Sequence, residues 1–213
     1  MSGKKRARSY EDKQKQIDRI LTYGERLIHE NGVKGFSMRM LANKLNMSPG
    51  NLYNYFSGEQ ELRTAILERH MFVSKENLEQ TIQTYSGSYL ELLKNTIRHY
   101  LESACNDQGW FHLQFLSQID DQQDEAILKL QKGMLDPLKQ IIEKAIEMGE
   151  LDQKNESYLL PFCYILILGS SAAYRSSSFT ELLGEGGWEQ LLEFLSEYPF
   201  TYLTSNRFPL TNI

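Results

Sequence analysis

The sequence predicts an all-α protein of about nine helices in two parts. Apolar residues recur at helical spacing over most of the chain, and strand-type alternation is absent. Gly, Pro, Asn and Ser punctuate these stretches where helices start or stop. At 213 residues and 41% hydrophobic content, the chain is long and apolar enough for a sizeable core. Internal repeats and low-complexity tracts are absent.

Met1–Ser9 carries Lys4, Lys5, Arg6 and Arg8 and is expected to be a disordered basic arm. It has two readings: a cationic arm touching phosphates or the minor groove, or a solvated tail. Tyr10–Asn31 follows as a helix, with Ser9 as cap and Asp12 at its positive end. Ile17, Ile20, Leu21, Leu27 and Ile28 form its apolar stripe, and Asn31-Gly32 ends it.

Phe36 to Leu62 is the most informative stretch. Ser37 caps a short helix in which Met38, Leu41, Ala42 and Leu45 share one face. Asn46-Met47-Ser48 makes a tight turn, since Asn tolerates a left-handed backbone. Ser48 caps the next helix, with Pro49 at its first position. Leu52 and Phe56 face inward, leaving Asn51, Tyr53, Asn54 and Tyr55 outside. Two short helices joined by a tight turn, the second with a polar and aromatic outer face, form a helix-turn-helix. Asn51 and Asn54 have the amide that pairs with adenine in the major groove, and Gly50 permits close approach. Tyr53, Tyr55, Ser37 and Ser48 offer hydroxyls to phosphates, and Arg39 and Lys44 add charge.

This pattern resembles the DNA-binding domain of the tetracycline-repressor (TetR) family of transcriptional regulators. The resemblance rests on Leu41-Ala42, Leu45, Ser48, Leu52-Tyr53, Tyr55-Phe56 and Glu61-Leu62, and covers about a quarter of the chain closely. It implies that Ser37, Arg39, Gly50, Asn51, Tyr53 and Tyr55 sit where the family contacts DNA. Two positions depart from the family pattern. Asn46 stands where a Gly is usual, and Glu59 stands where a Lys commonly follows the recognition helix. A carboxylate there repels phosphate.

Beyond Ser57, expected as cap of a capping box with Gln60, a helix runs from Gly58 to about Gln80. Leu62, Ala65, Ile66 and Arg69 define its inner face, continued by Met71-Phe72-Val73. Tyr89–Ala104 is a regular amphipathic helix, and Phe111–Ile119 a shorter one. Ile127–Met148 is a long helical pattern with a kink or break near Met134, caused by Pro137. Gly149 closes it, and Gly149–Asp152 is similar to the connection before the last two helices of TetR-type proteins. A helix from Asn155 or Ser157 to about Ser176 is apolar nearly all round, so more than one side should be buried. After a Gly-rich loop, Leu183–Gly187, the helix Trp188–Tyr198 is expected to end at Pro199.

Charge divides the chain. Residues 1–63 hold 12 Lys/Arg and 7 Asp/Glu (12 − 7 = +5), whereas residues 64–213 hold 11 and 21 (11 − 21 = −10). A basic head on an acidic body suits a protein with one DNA-facing end. The expected domains are 1–56, DNA-binding, and 57–213, for effector binding and dimerisation. The resemblance implies a cavity in the body, for which His99, Tyr100, His112, Phe115, Met134 and Tyr164 are candidates, having polar or polarisable groups within apolar helices. The effector itself is unknown.

Catalytic, metal and cofactor spacing are not expected: four scattered His, two isolated Cys and no Gly-rich phosphate loop are present. Cys105 and Cys163 read as buried free thiols in a cytoplasmic protein. No apolar run follows the basic start, so no signal peptide is expected. Leu159–Leu168, about ten residues with Pro161 inside, is judged too short to span a bilayer. The expected function is a ligand-responsive repressor that binds a palindromic operator as a homodimer, through its last two helices. The alternatives are a ligand-independent DNA-binding regulator or activator, and a helical enzyme or lipid carrier on the same scaffold.

Overall fold

The computed structural model describes residues 2–32, 35–106, 129, 132–133 and 135–204. Among the described residues there are nine α-helices and no strand. They are α1 (Ser2–Asn31), α2 (Met38–Lys44), α3 (Pro49–Leu52), α4 (Glu59–Thr84), α5 (Tyr89–Asn106), α6 (Asp136–Glu147), α7 (Glu156–Tyr174), α8 (Ser177–Leu183) and α9 (Gly187–Thr204). A 3₁₀ turn, Gln153–Asn155, precedes α7. The expected helix at 111–119, with His112 and Phe115, lies outside the described residues, as does Met134.

The chain divides into two compact units, and the division falls inside α4, between Ser74 and Lys75. In the first unit α1 begins at Ser2, eight residues earlier than expected. Residues 2–9 are thus helical, not a disordered arm, and Ser9 is not a cap. Lys, Arg and Ala are good helix formers, and no Pro stands in this segment to stop the helix. The core of this unit is built from Ile20, Leu27, Ile28, Leu41, Leu45, Leu52, Leu62, Ile66 and Leu67, all buried. Phe72 and Val73 depart from expectation: Met71 is buried, but both of these are exposed on α4.

In the second unit α5 is central and packs against α6, α7 and α9. Leu93, Ile97 and Leu101 are its fully buried stripe. Pro137 stands in the first turn of α6, where its missing N–H costs nothing, and the chain turns at Leu135 just before it, in keeping with the expected break. Gly149 (φ +71°) closes α6. There Glu150 N–H donates to Ala145 O at 2.8 Å and Gly149 N–H to Ile146 O at 2.9 Å, the paired bonds of a left-handed C-terminal cap. Glu150 then reaches α5, its carboxylate accepting from Leu90 N–H at 2.7 Å and Ser88 Oγ–H at 3.2 Å.

Two expectations about the last helices change. Pro199 lies inside α9, which continues to Thr204. Phe200 is fully buried and meets Phe162 edge-on at 6.2 Å, and this packing offsets the one backbone bond that Pro199 removes. The apolar run in α7 is part of a longer helix. Gln153–Tyr174 is long and apolar enough, by length and composition, to cross a membrane. It nonetheless behaves as a core helix on one side: Leu159, Cys163, Ile167, Ser170 and Ser171 form a buried stripe at helical spacing. Away from that stripe the helix is less covered, and Tyr158 and Ile165 remain 68% and 67% exposed.

Candidate nucleic-acid interface

The reading unit is assembled from local rules. The Ser37 hydroxyl accepts from Met40 N–H at 3.3 Å and starts α2; the Ser48 hydroxyl accepts from Asn51 N–H at 3.2 Å and starts α3. Between them Asn46 takes φ +55°, the only non-Gly residue with positive φ among the described residues. Met47 N–H donates to Ala42 O at 2.9 Å and seals the turn. α3 proper is one turn, but Tyr55 and Phe56 N–H both still donate to Leu52 O, at 3.0 and 3.2 Å. The segment 49–56 therefore coils as a unit, with Leu52 and Phe56 buried beneath it.

Its outer surface carries the expected residues. Asn51, Asn54, Arg39, Lys44, Ser48 and Gly50 are exposed, Tyr53 is 53% exposed, and Ser37 and Tyr55 are half-buried. Asn54 Nδ2–H donates to Asn51 Oδ1 at 3.2 Å, so the two amides are held side by side. A Cβ built on Gly50 meets nothing within 4 Å, which leaves the start of α3 open to a close approach. Both serine hydroxyls accept at the helix caps, and each keeps its own O–H for an outside acceptor such as phosphate. Lys44 Nζ lies 3.8 Å from Glu30, a loose and exposed pair.

Behind this face is a set of clamps that sequence reasoning missed. Arg19 donates to Leu45 O at 3.4 Å and Gln16 to Met47 Sδ at 3.3 Å, fixing the turn against α1. Arg69 on α4 donates to Asp18 O at 2.9 Å and lies 3.6 Å from Glu25. Burial raises the Glu25 carboxyl above its ordinary range, and Arg69 partly opposes this. Gly24, inside α1, allows α4 to come close: a Cβ there would stand 2.3 Å from Ile66 Cδ1. A glycine in mid-helix was the available signal, because it costs about 1 kcal/mol relative to Ala unless packing requires it.

At the start of α4 the cap lies one residue later than expected. Ser57 engages Glu61: its N–H and Oγ–H both donate to Glu61 Oε2, at 2.6 Å each. These bonds hold the Glu61 carboxyl below its usual range. Gly58 accepts from Leu62 N–H at 3.2 Å and is the true N-cap, so Glu61 sits three residues into the helix. Glu59 turns back on α2. Its Oε2 accepts from Met38 N–H at 3.4 Å, and its Oε1 lies 2.6 Å from Arg63. Arg63 in turn donates to Phe36 O at 3.4 Å and lies over the Phe36 ring.

Of the described body candidates, Tyr100 and Tyr164 are half-buried on α5 and α7. Burial raises the Tyr100 phenol above its ordinary range, so it is neutral at physiological pH and can both donate and accept. His99 is exposed and does not face the interior of this chain.

Residues 20–66 match the sequence profile of the bacterial regulatory proteins of the tetR family. Over 149 residues the chain is 22% identical to the transcriptional repressor NemR of Escherichia coli strain K12, covering 68% of this chain and 72% of that protein. Its fold is similar to a Rhodococcus sp. RHA1 protein of unknown function, with TM-score 0.69, 17% identity and coverage of 87% of this chain and 94% of that one. It is also similar to AibR in complex with isovaleryl coenzyme A and operator DNA, with TM-score 0.59, 19% identity and coverage of 88% and 97%. The profile match falls on the capped, exposed helix-turn-helix described above, so over residues 20–66 the chain is similar to the bacterial regulatory proteins of the tetR family.

Proposed function

We propose that this protein is a ligand-responsive transcriptional repressor that binds a palindromic operator as a homodimer in the cytoplasm. The observation that carries this reading is the capped α2–turn–α3 unit, with Asn51, Tyr53 and Asn54 on its outer face. Residues up to about Phe56 bind DNA. Asn51 and Asn54 read base edges; Ser37, Arg39, Lys44, Ser48, Tyr53 and Tyr55 hold phosphates. One such unit covers one half-site, so two copies are needed, with half-sites about 34–36 Å or a multiple apart.

The remainder, 57–213, dimerises and takes a small-molecule effector. The exposed apolar side of α7 (Tyr158, Ile165), with Phe194 and Tyr198 on α9, supports pairing of these two helices with their copies in a four-helix interface. Tyr100 and Tyr164 are the described residues best suited to meet an effector, one from each of two packed helices. AibR, a relative in fold, has been seen with both an acyl coenzyme A and operator DNA, which supports a ligand-responsive role here. Effector binding favours a conformation whose reading units no longer match the half-site spacing. Electrophoretic shift of the promoter region of the protein's own gene tests the reading. Specific retardation, relieved by a small molecule that binds the body, is expected; no specific shift would overturn it.

A further inference from the structure

We propose that Glu59 attenuates operator binding: its carboxylate is pinned beside the DNA-contacting residues of α2 and lowers affinity for the phosphate backbone. The inference rests on the reading of Ser37 to Tyr55 as the DNA-binding face. Glu59 Oε2 accepts from Met38 N–H at 3.4 Å, and Met38 stands between Ser37 and Arg39, both assigned to DNA. Glu59 Oε1 lies 2.6 Å from Arg63, which holds the carboxylate in place. The Glu59 side chain is 39% exposed, so the pair with Arg63 lies at the surface of the unit.

Glu61, two residues on, is a second carboxylate of the same α4 turn, held by Ser57. Arg63 is paired with Glu59 and donates to Phe36 O, so the two charges offset each other and the pair offers phosphate no net positive charge. The structural task of Glu59 needs only an oxygen acceptor for Met38 N–H, which a neutral amide would provide equally. Its negative charge is an addition to that task, and it withholds the positive charge of Arg63 from DNA. A unit charge within about one Debye length of a phosphate, ~8–10 Å at physiological salt, is incompletely screened. It therefore changes affinity several-fold without any direct contact.

The test compares the full-length wild type with Glu59→Gln and Glu59→Lys, by fluorescence anisotropy on two duplexes. One duplex is the protein's own promoter region, the other a scrambled sequence, each titrated over a range of salt. Glu59→Gln retains an acceptor for Met38 and loses a partly exposed ion pair with Arg63, so its thermal melting should fall only slightly below wild type. It should bind both duplexes about three- to tenfold more tightly at ~100 mM salt, and the advantage should shrink as salt rises. Glu59→Lys should gain more and steepen the salt dependence by about one unit of log–log slope. Wild-type binding with no gain in either variant overturns the attenuator while leaving the DNA-binding reading intact. Specific binding absent in wild type and variants alike defeats that reading instead.

Discussion

Trp188 Nε1–H donates to Cys105 Sγ at 2.9 Å and ties α9 to the last turn of α5. The same indole meets Tyr174 at 4.8 Å and Phe179 edge-on at 6.4 Å, so one side chain joins α5, α7, α8 and α9. The thiol donates onward to Leu101 O at 3.1 Å and is satisfied in both directions. Trp188→Phe keeps an aromatic ring but loses the donor. It should lower the stability of the body by about 1–2 kcal/mol in urea unfolding, leaving the isolated reading residues untouched.

Burial pushes the Cys163 thiol up to about 12. The protonated form is thus favoured in the folded state, while an unfolded chain ionises near pH ~8.5. The contribution to stability is complete below that pH and declines as pH rises from ~8.5 to about 12. Cys163→Ala should flatten this alkaline decline relative to wild type. Native Cys163 should also resist iodoacetamide at pH ~8, since the thiolate is the nucleophile.

Gly50→Ala and Gly24→Ala should have opposite consequences. At Gly50 an added methyl meets nothing, so melting should be unchanged or slightly raised while operator affinity falls through loss of close approach. At Gly24 the methyl enters the space of Ile66, 2.3 Å from Cδ1. Overpacking of about 1–3 kcal/mol should outweigh the helix-propensity gain of about 1 kcal/mol. Ile66→Val in the Gly24→Ala background should recover part of the loss, a coupling that a double-mutant cycle measures.

Asn51→Ala with Tyr53→Ala should abolish the specific electrophoretic shift while melting stays within about 0.5 kcal/mol of wild type, because both side chains are exposed. Retained sequence-specific binding would remove the reading face from this surface.

Deletion of residues 2–9 should weaken DNA binding at low salt more than at high salt. The segment adds four positive charges and no negative ones to α1. Equal loss at every salt concentration would point to a structural effect of the deletion.

Ile165→Glu, on the exposed side of α7, should leave the proposed homodimer monomeric in analytical ultracentrifugation. Operator affinity should fall with it, since one unit reads only one half-site.

The sequence alone determined the local grammar of the reading unit: two serine caps, Pro49 at a helix start, Asn46 in the turn and the inward Leu52–Phe56 pair. Each of these depends on residues no more than four positions apart, so a single stretch contains all the relevant chemistry. Tertiary structure decided what depends on distant partners. Glu59 serves α2 across 21 positions, and Arg69 grips α1 across 51. Gly24 makes sense only once Ile66 is opposite it. Pro199 fails to end α9 because Phe200 has a place to bury, which no propensity rule contains. The helix at Glu156–Tyr174 was legible as apolar, but which side one chain covers depended on α5 and α6 packing against it. Propensity and capping are set by neighbours in sequence; burial and charge placement are set by neighbours in space.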